Sequence, residues 1–257
     1  MSTMLLAARD VSTPETKVPA VCALFWVAKI LSTAFGEVFS DYLFDRFDKG
    51  VAFAVCSVVL VVALTMTIGR RRFSAFGYWL CIAIISVFGT MAADGLHFGL
   101  GVSLPLSCTL FAGFQIAVFA LWWHGEGTLD MKDIVNRRRE GFYWATVMGT
   151  FALGTGAGDL TAFTFHFGFF VSILVFLVPF VLALAASRQD GPRRILWFWL
   201  AYTFTRPLGA SLSDWLAAPG RIGGLNLGTA SVSLAFGLMF LAAFFLPPLR
   251  RSVPRSA

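Results

Sequence analysis

The sequence predicts an all-α polytopic membrane protein: eight transmembrane helices, arranged as four parallel two-helix repeats, with both termini cytoplasmic. Three observations predict it. Apolar residues make up 58% of the chain against 13% charged, and the mean hydropathy is +0.77, whereas a soluble domain keeps roughly a quarter of its residues charged. Apolar runs of about 20 residues, the length that crosses a bilayer as a helix, recur along the whole chain. One spacing pattern, W-x9-G-x4-D, occurs four times.

The runs are roughly Pro19–Phe44, Val51–Gly69, Phe76–Phe98, Val102–Trp123, Phe142–Phe163, Gly168–Ala186, Ile195–Leu216 and Leu227–Leu246. Basic residues alternate by connection. Lys17 precedes the first run and Arg70-Arg71-Arg72 follows the second. Lys132 and Arg137-Arg138-Arg139 follow the fourth, Arg188 and Arg193-Arg194 the sixth, and Arg250-Arg251 the eighth. The other connections hold only the balanced DRFDKG, His97, His166 and Arg221. The positive-inside rule therefore puts both termini in the cytoplasm. It also accounts for the net charge of +6 without a nucleic-acid partner, which is not expected.

The N-terminal MSTMLLAARDVSTPETK is polar for too long, and too acidic, to read as a signal peptide. Residues 1–18 and 248–257 are expected to be cytoplasmic tails. A single transmembrane domain, 19–247, lies between them, with repeats at about 19–69, 76–123, 142–186 and 195–246. The longest loop, HGEGTLDMKDIVNRRREG, reads as a surface turn or short helix of mixed charge. Cys22, Cys56, Cys81 and Cys108 lie within apolar runs without CxxC spacing and read as small buried hydrophobes.

The repeat aligns Trp26, Gly36 and Asp41 with Trp79, Gly89 and Asp94, with Trp144, Gly154 and Asp159, and with Trp199, Gly209 and Asp214. Each match falls in an odd-numbered run, so all four units share one orientation. The residue before each aspartate is small: Ser40, Ala93, Gly158, Ser213. With the glycine four positions earlier it makes a small-xxx-small pair, which lets two transmembrane backbones approach closely. Gly36, Gly89, Gly154 and Gly209 therefore mark packing faces, the odd helices form the inner layer, and the even helices face lipid. The tryptophans, toward the cytoplasmic side, read as an aromatic belt.

Below each aspartate a stripe descends in four-residue steps, and each stripe winds slowly along one helix face. The stripes are Lys29, Thr33, Glu37, Asp41; Ile82, Ser86, Thr90, Asp94; Val147, Phe151, Thr155, Asp159; and Tyr202, Arg206, Ala210, Asp214. Phe151 and Ala210 stand where other copies are polar, so the units are not equivalent. Charges within a bilayer are costly and normally face an interior or a water-filled cavity. Lys29 and Arg206 are expected to pair with acids, Arg206 with Glu37 if the first and fourth repeats are neighbours in a closed ring. Asp41, Asp94, Asp159, Asp214 and Glu37, with Thr90 and Thr155, are then candidate ion-binding or transport residues. The competing reading has the aspartates cap backbone or stitch repeats together. His97 follows Asp94 by one helical turn, so Asp94, His97 and Asp159 are candidate metal ligands.

The stretches KILSTAFGEVFSDYL, TRPLGASLSDWL, RRREGFYWATVMGTFALGTGAGD and GGLNLG carry a resemblance over most of residues 20–246. The sequence resembles a bacterial family of uncharacterised multi-spanning membrane-anchored proteins built from four copies of a two-helix repeat. The resemblance implies a location in the bacterial inner membrane and brings no activity. The expected function is transport or export of small cations, with a divalent metal ion as one candidate substrate. The alternative is a non-transporting scaffold, sensor or partner subunit with structural aspartates. An enzyme is not expected, since the intramembrane protease signatures, a phosphate loop and a dinucleotide fingerprint are all missing from the sequence. The expected partners are the lipid bilayer and a small cation or proton, with a second copy of the chain left open.

Overall fold

Eight α-helices and their connections make up residues 16–70, 72–189, 191 and 193–251, the part of the chain that the computed structural model describes. The helices are α1 (Ala23–Arg46), α2 (Lys49–Gly69), α3 (Ala75–Asp94), α4 (Leu104–Glu126), α5 (Arg137–Asp159), α6 (Gly168–Ser187), α7 (Arg194–Ala217) and α8 (Thr229–Phe244). No β-strand occurs among the described residues. Residues 1–15, 252–257 and Arg71, to which the sequence assigned cytoplasmic positions, lie outside them.

Side-chain caps set several helix starts. Asp48 accepts from the Val51 amide at 2.9 Å, Ser74 from Gly77 at 3.2 Å and Asn136 from Arg139 at 2.8 Å. The Asn136 cap is why α5 begins at Arg137 rather than near Phe142: a capped polar turn is invisible to hydropathy. At the other end, α3 and α5 do not stop at their aspartates. Each continues as a wide π-type turn, Gly95–Gly99 and Leu160–Thr164.

α1 and α5 each pack against both α3 and α7, so the odd-numbered helices close a ring in the order α1, α3, α5, α7. Each even helix packs on the odd helix that follows it: α2 on α3, α4 on α5, α6 on α7, and α8 back on α1. The odd helices bury eleven to thirteen residues each and the even ones two to five, which makes the former the inner layer. The outward faces are apolar. Val58 of α2, Ile116 of α4, Leu182 of α6 and Leu234 of α8 are 63%, 68%, 64% and 64% exposed, a surface that water alone does not favour. Five helices, α1 to α4 (α3 with its π turn) and α6, are long and apolar enough to cross a membrane.

The repeat glycines close the ring. A Cβ on Gly36 would overlap the side chain of Ser86, and one on Gly89 would stand 2.7 Å from the Phe151 Cβ. One on Gly154 would overlap Arg206, and one on Gly209 Thr33. Each glycine thus receives the stripe residue of the next repeat that lies three positions before that repeat's own glycine, and the fourth receives from the first. Close approach of this kind leaves no room for a methyl group.

At the basic end the packed body extends past the expected domain limits, because Thr16, Val18 and Leu249 are all buried. The long loop is not a loose surface turn. Its Met131 and Ile134 are buried, Asp130 pairs with Arg194 at 2.9 Å, and buried Glu140 pairs with Lys17 at 2.5 Å. The tryptophans also depart from expectation. Trp26, Trp79, Trp144 and Trp199 are 5%, 2%, 2% and 4% exposed, an interior layer rather than a belt. Trp79 donates to the Leu249 carbonyl at 3.2 Å and Trp199 to that of Leu129 at 2.9 Å. An indole with a backbone acceptor can be buried, and these two fasten the segments that close this end of the bundle.

Candidate functional site

The register of the repeat puts one aspartate at the same height on each inner helix, and closure of the ring turns that height into a cavity. It has a volume of about 600 Å³, and Glu37, Asp41, Asp94, Asp159 and Asp214 all line it. Asp45 and Lys49 stand at its rim, where Asp45 accepts from the Thr229 hydroxyl at 3.2 Å. The four repeat aspartates are half-buried, and none of their carboxylates takes part in a hydrogen bond or ion pair with a described residue. Asp94 and Asp159, which precede the π turns, cap no amide there. Unpaired carboxylates around a roomy cavity must be met by water, protons or cations.

The floor of the cavity is a cross-ring knot of all four repeats. Arg206 of α7 donates from Nη2 to Glu37 of α1, to Thr90 of α3 and to Thr155 of α5. Thr90 and Thr155 donate in turn to Glu37 Oε2 at 3.0 and 3.2 Å, and Arg206 Nη1 reaches the Thr33 carbonyl at 3.2 Å. Glu37 is 4% exposed and Arg206 0%, so the pair is desolvated and held by geometry. It joins all four inner helices beneath the acids.

Lys29 lies under this knot, and it does not pair with an acid as the sequence led us to expect. Its Nζ sits 3.8 Å from the Phe151 ring centroid and 4.3 Å from that of Tyr202, without a hydrogen-bond partner among the described residues. The reason is register. At its level the other three stripes supply Ile82, Val147 and Tyr202, none of them a carboxylate. Two aromatic faces replace the missing anion. Below it, the Tyr143 hydroxyl meets those of Tyr78 and Tyr202 at 2.5 and 3.5 Å.

The metal-ligand expectation for Asp94, His97 and Asp159 is not met. His97 does not line the cavity; its Nδ1 donates to the Val102 carbonyl at 2.7 Å and holds the turn after α3. Among the described residues no group of three His, Cys, Asp or Glu side chains is close enough to hold a metal ion.

Three elements of the site escaped the sequence reading: the tyrosine trio, the Phe151 platform and the π turns. The doublets Tyr78-Trp79 and Tyr143-Trp144, at equal repeat positions, were the signal for two of the tyrosines. Phe151 had looked like a defect in a polar stripe.

The family model described as Repeat of Unknown Function (DUF347) matches four stretches of the chain, residues 24–73, 77–128, 142–188 and 197–249. The chain belongs to the DUF347 repeat family. Each DUF347 unit is an odd helix with the even helix that follows it in sequence, yet each even helix packs mainly on the next unit. A DUF347 unit is thus completed only by its neighbour, which explains why the repeats come as a closed set. No curated protein and no solved structure matches the chain.

Proposed function

We propose that this DUF347 protein is an integral protein of a bacterial inner membrane that moves a small cation or protons across it. The acidic cavity is its non-cytoplasmic mouth, and the Arg206–Glu37–Thr90–Thr155 knot is its closed gate. The observation that carries this reading is the gathering of six carboxylates around one cavity, the four repeat aspartates among them without a hydrogen bond or ion pair to any described residue. Unpaired acids concentrate cations at a mouth, and a breakable ion pair across the axis is a means of opening. The apolar outer faces of α2, α4, α6 and α8 support burial in lipid, and the basic residues at one end support a cytoplasmic position for that end. Absence of a three-ligand cluster among the described residues favours passage of a hydrated ion, monovalent or divalent, over tight metal capture. No catalytic step is part of this reading.

Closure of the ring by Arg206 and Glu37 also favours a second reading, in which the charged groups are stitches in a non-transporting scaffold. Asp159→Asn and Asp94→Asn separate the two. In proteoliposomes each should abolish tracer cation uptake. Each should also raise stability by about 0.5 kcal/mol, because removing one of several like charges relieves repulsion. Uptake equal to wild type, together with lowered stability, would refute transport and leave the scaffold.

A further inference from the structure

We propose that Lys29 is the proton-exchanging group that couples cation passage to a counter-moving proton. This inference rests on the transport reading above and names its energy coupling.

Lys29 and Arg206 are the two bases within the inner ring, and both lie over the same ring, Phe151, the Arg206 guanidinium at 5.4 Å from its centroid. A cation that passes the gate must therefore pass two fixed positive groups in succession. Arg206 is tied to four oxygens, those of Glu37, Thr90, Thr155 and Thr33. Lys29 is 1% exposed, and its Nζ donates to no described residue. A buried ammonium with no acceptor has nothing to hold its proton in place, and a lysine, unlike an arginine, gives one up. Of the two barriers, only Lys29 can be lowered by losing a proton.

The surroundings also offer a route for that proton. From α7, Tyr202 and Arg206 face Lys29; Tyr143 of α5 and Tyr78 of α3 continue from Tyr202 as a hydroxyl string toward the basic end. Glu37, on its own helix, is held by Arg206. The other ionisable groups nearby are occupied: Cys81 with Thr67, Glu140 with Lys17, and Arg250 over Phe244 and Phe245. α8 has no ionisable residue. Hydroxyls both donate and accept, so they pass protons without holding charge. In the step itself, one N–H bond of the Lys29 ammonium breaks, its electron pair stays on nitrogen, and the proton leaves through the hydroxyl string to water. The cation then passes a neutral amine toward the acidic cavity, and a proton taken up from water on the cavity side restores the ammonium. Nothing is oxidised or reduced.

The test uses purified full-length protein in liposomes holding a pH-sensitive dye, with sodium, potassium or manganese tracer added outside in separate runs. Wild type should release protons as tracer enters. In Lys29→Met the ratio of protons to tracer cations should fall from about one to about zero, because the exchanging nitrogen is gone. Tyr202→Phe, which keeps the aromatic platform, should slow proton release more than tracer entry, and it decides the matter if Lys29→Met does not fold. An unchanged proton ratio in Lys29→Met overturns the proposal, as does an unchanged proton-release rate in Tyr202→Phe. So does wild-type cation uptake with no proton release, although that result leaves the transport reading standing. If no tracer enters with wild type, the transport reading itself falls, and the coupling falls with it.

Discussion

Removing either partner of the Arg206–Glu37 pair should be far worse than removing both. Arg206→Met leaves the Glu37 carboxylate, 4% exposed, with only the Thr90 and Thr155 hydroxyls as donors. Glu37→Gln leaves a guanidinium, 0% exposed, with neutral acceptors alone. An uncompensated buried charge costs about 3–5 kcal/mol in either case. In the double variant no charge is left to desolvate. Thr90 and Thr155 can fall back on the Ser86 and Phe151 carbonyls of their own helices, at 3.2 and 3.4 Å, and the side-chain amide introduced by Glu37→Gln can still meet both hydroxyls. The double variant should therefore lose only about 2 kcal/mol. The coupling between the two sites is then about 4 kcal/mol or more in favour of the double. Equilibrium unfolding in mixed detergent micelles, followed by far-ultraviolet circular dichroism on all four proteins, measures this. If the single losses add to the double loss within about 0.5 kcal/mol, the two side chains do not share one desolvated site and the gate does not exist as described.

Glycine substitution tests the ring. Gly89→Ala gains up to about 1 kcal/mol of helix propensity but must displace Phe151 and its backbone, and its net cost should be about 1–2 kcal/mol in the same unfolding assay. Gly113→Ala in α4, where a methyl group meets nothing within 4 Å, should be neutral or stabilising; equal results at the two sites would contradict the packing scheme. At the basic end, burial raises the Glu140 pKa above the ordinary glutamate range and Lys17 pulls it back. A raised folded-state value means that the stability Glu140 contributes is fully present below about pH 4.3 and is lost as pH rises through the folded value. Lys17→Met removes the opposing charge, so melting temperature should fall more steeply with pH than in wild type, and Glu140→Gln should flatten the dependence.

Much of the architecture was legible in the residues themselves. Hydropathy and loop charge located eight helices to within a few residues, except at the start of α5, where a capped polar turn lies outside the apolar run. The repeat spacing identified the inner helices, since the full W-x9-G-x4-D pattern recurs only on those. The Glu37 and Arg206 levels followed from counting turns along the stripes. The tryptophan layer was misread because an indole near a helix end looks the same in sequence whether it turns outward or inward.

By itself the sequence determined the helix count, the fourfold repeat and the height of each charged group along its helix, because period and rise are local properties of the chain. Only the tertiary structure decided what those groups meet. Ring closure brings four aspartates and Glu37 around one cavity, joins Arg206 to Glu37 across the axis, and leaves Lys29 facing Phe151 and Tyr202 instead of an acid. The physical reason is that partnership across a bundle depends on which faces the close-packed glycines turn toward one another, and no single helix contains that information.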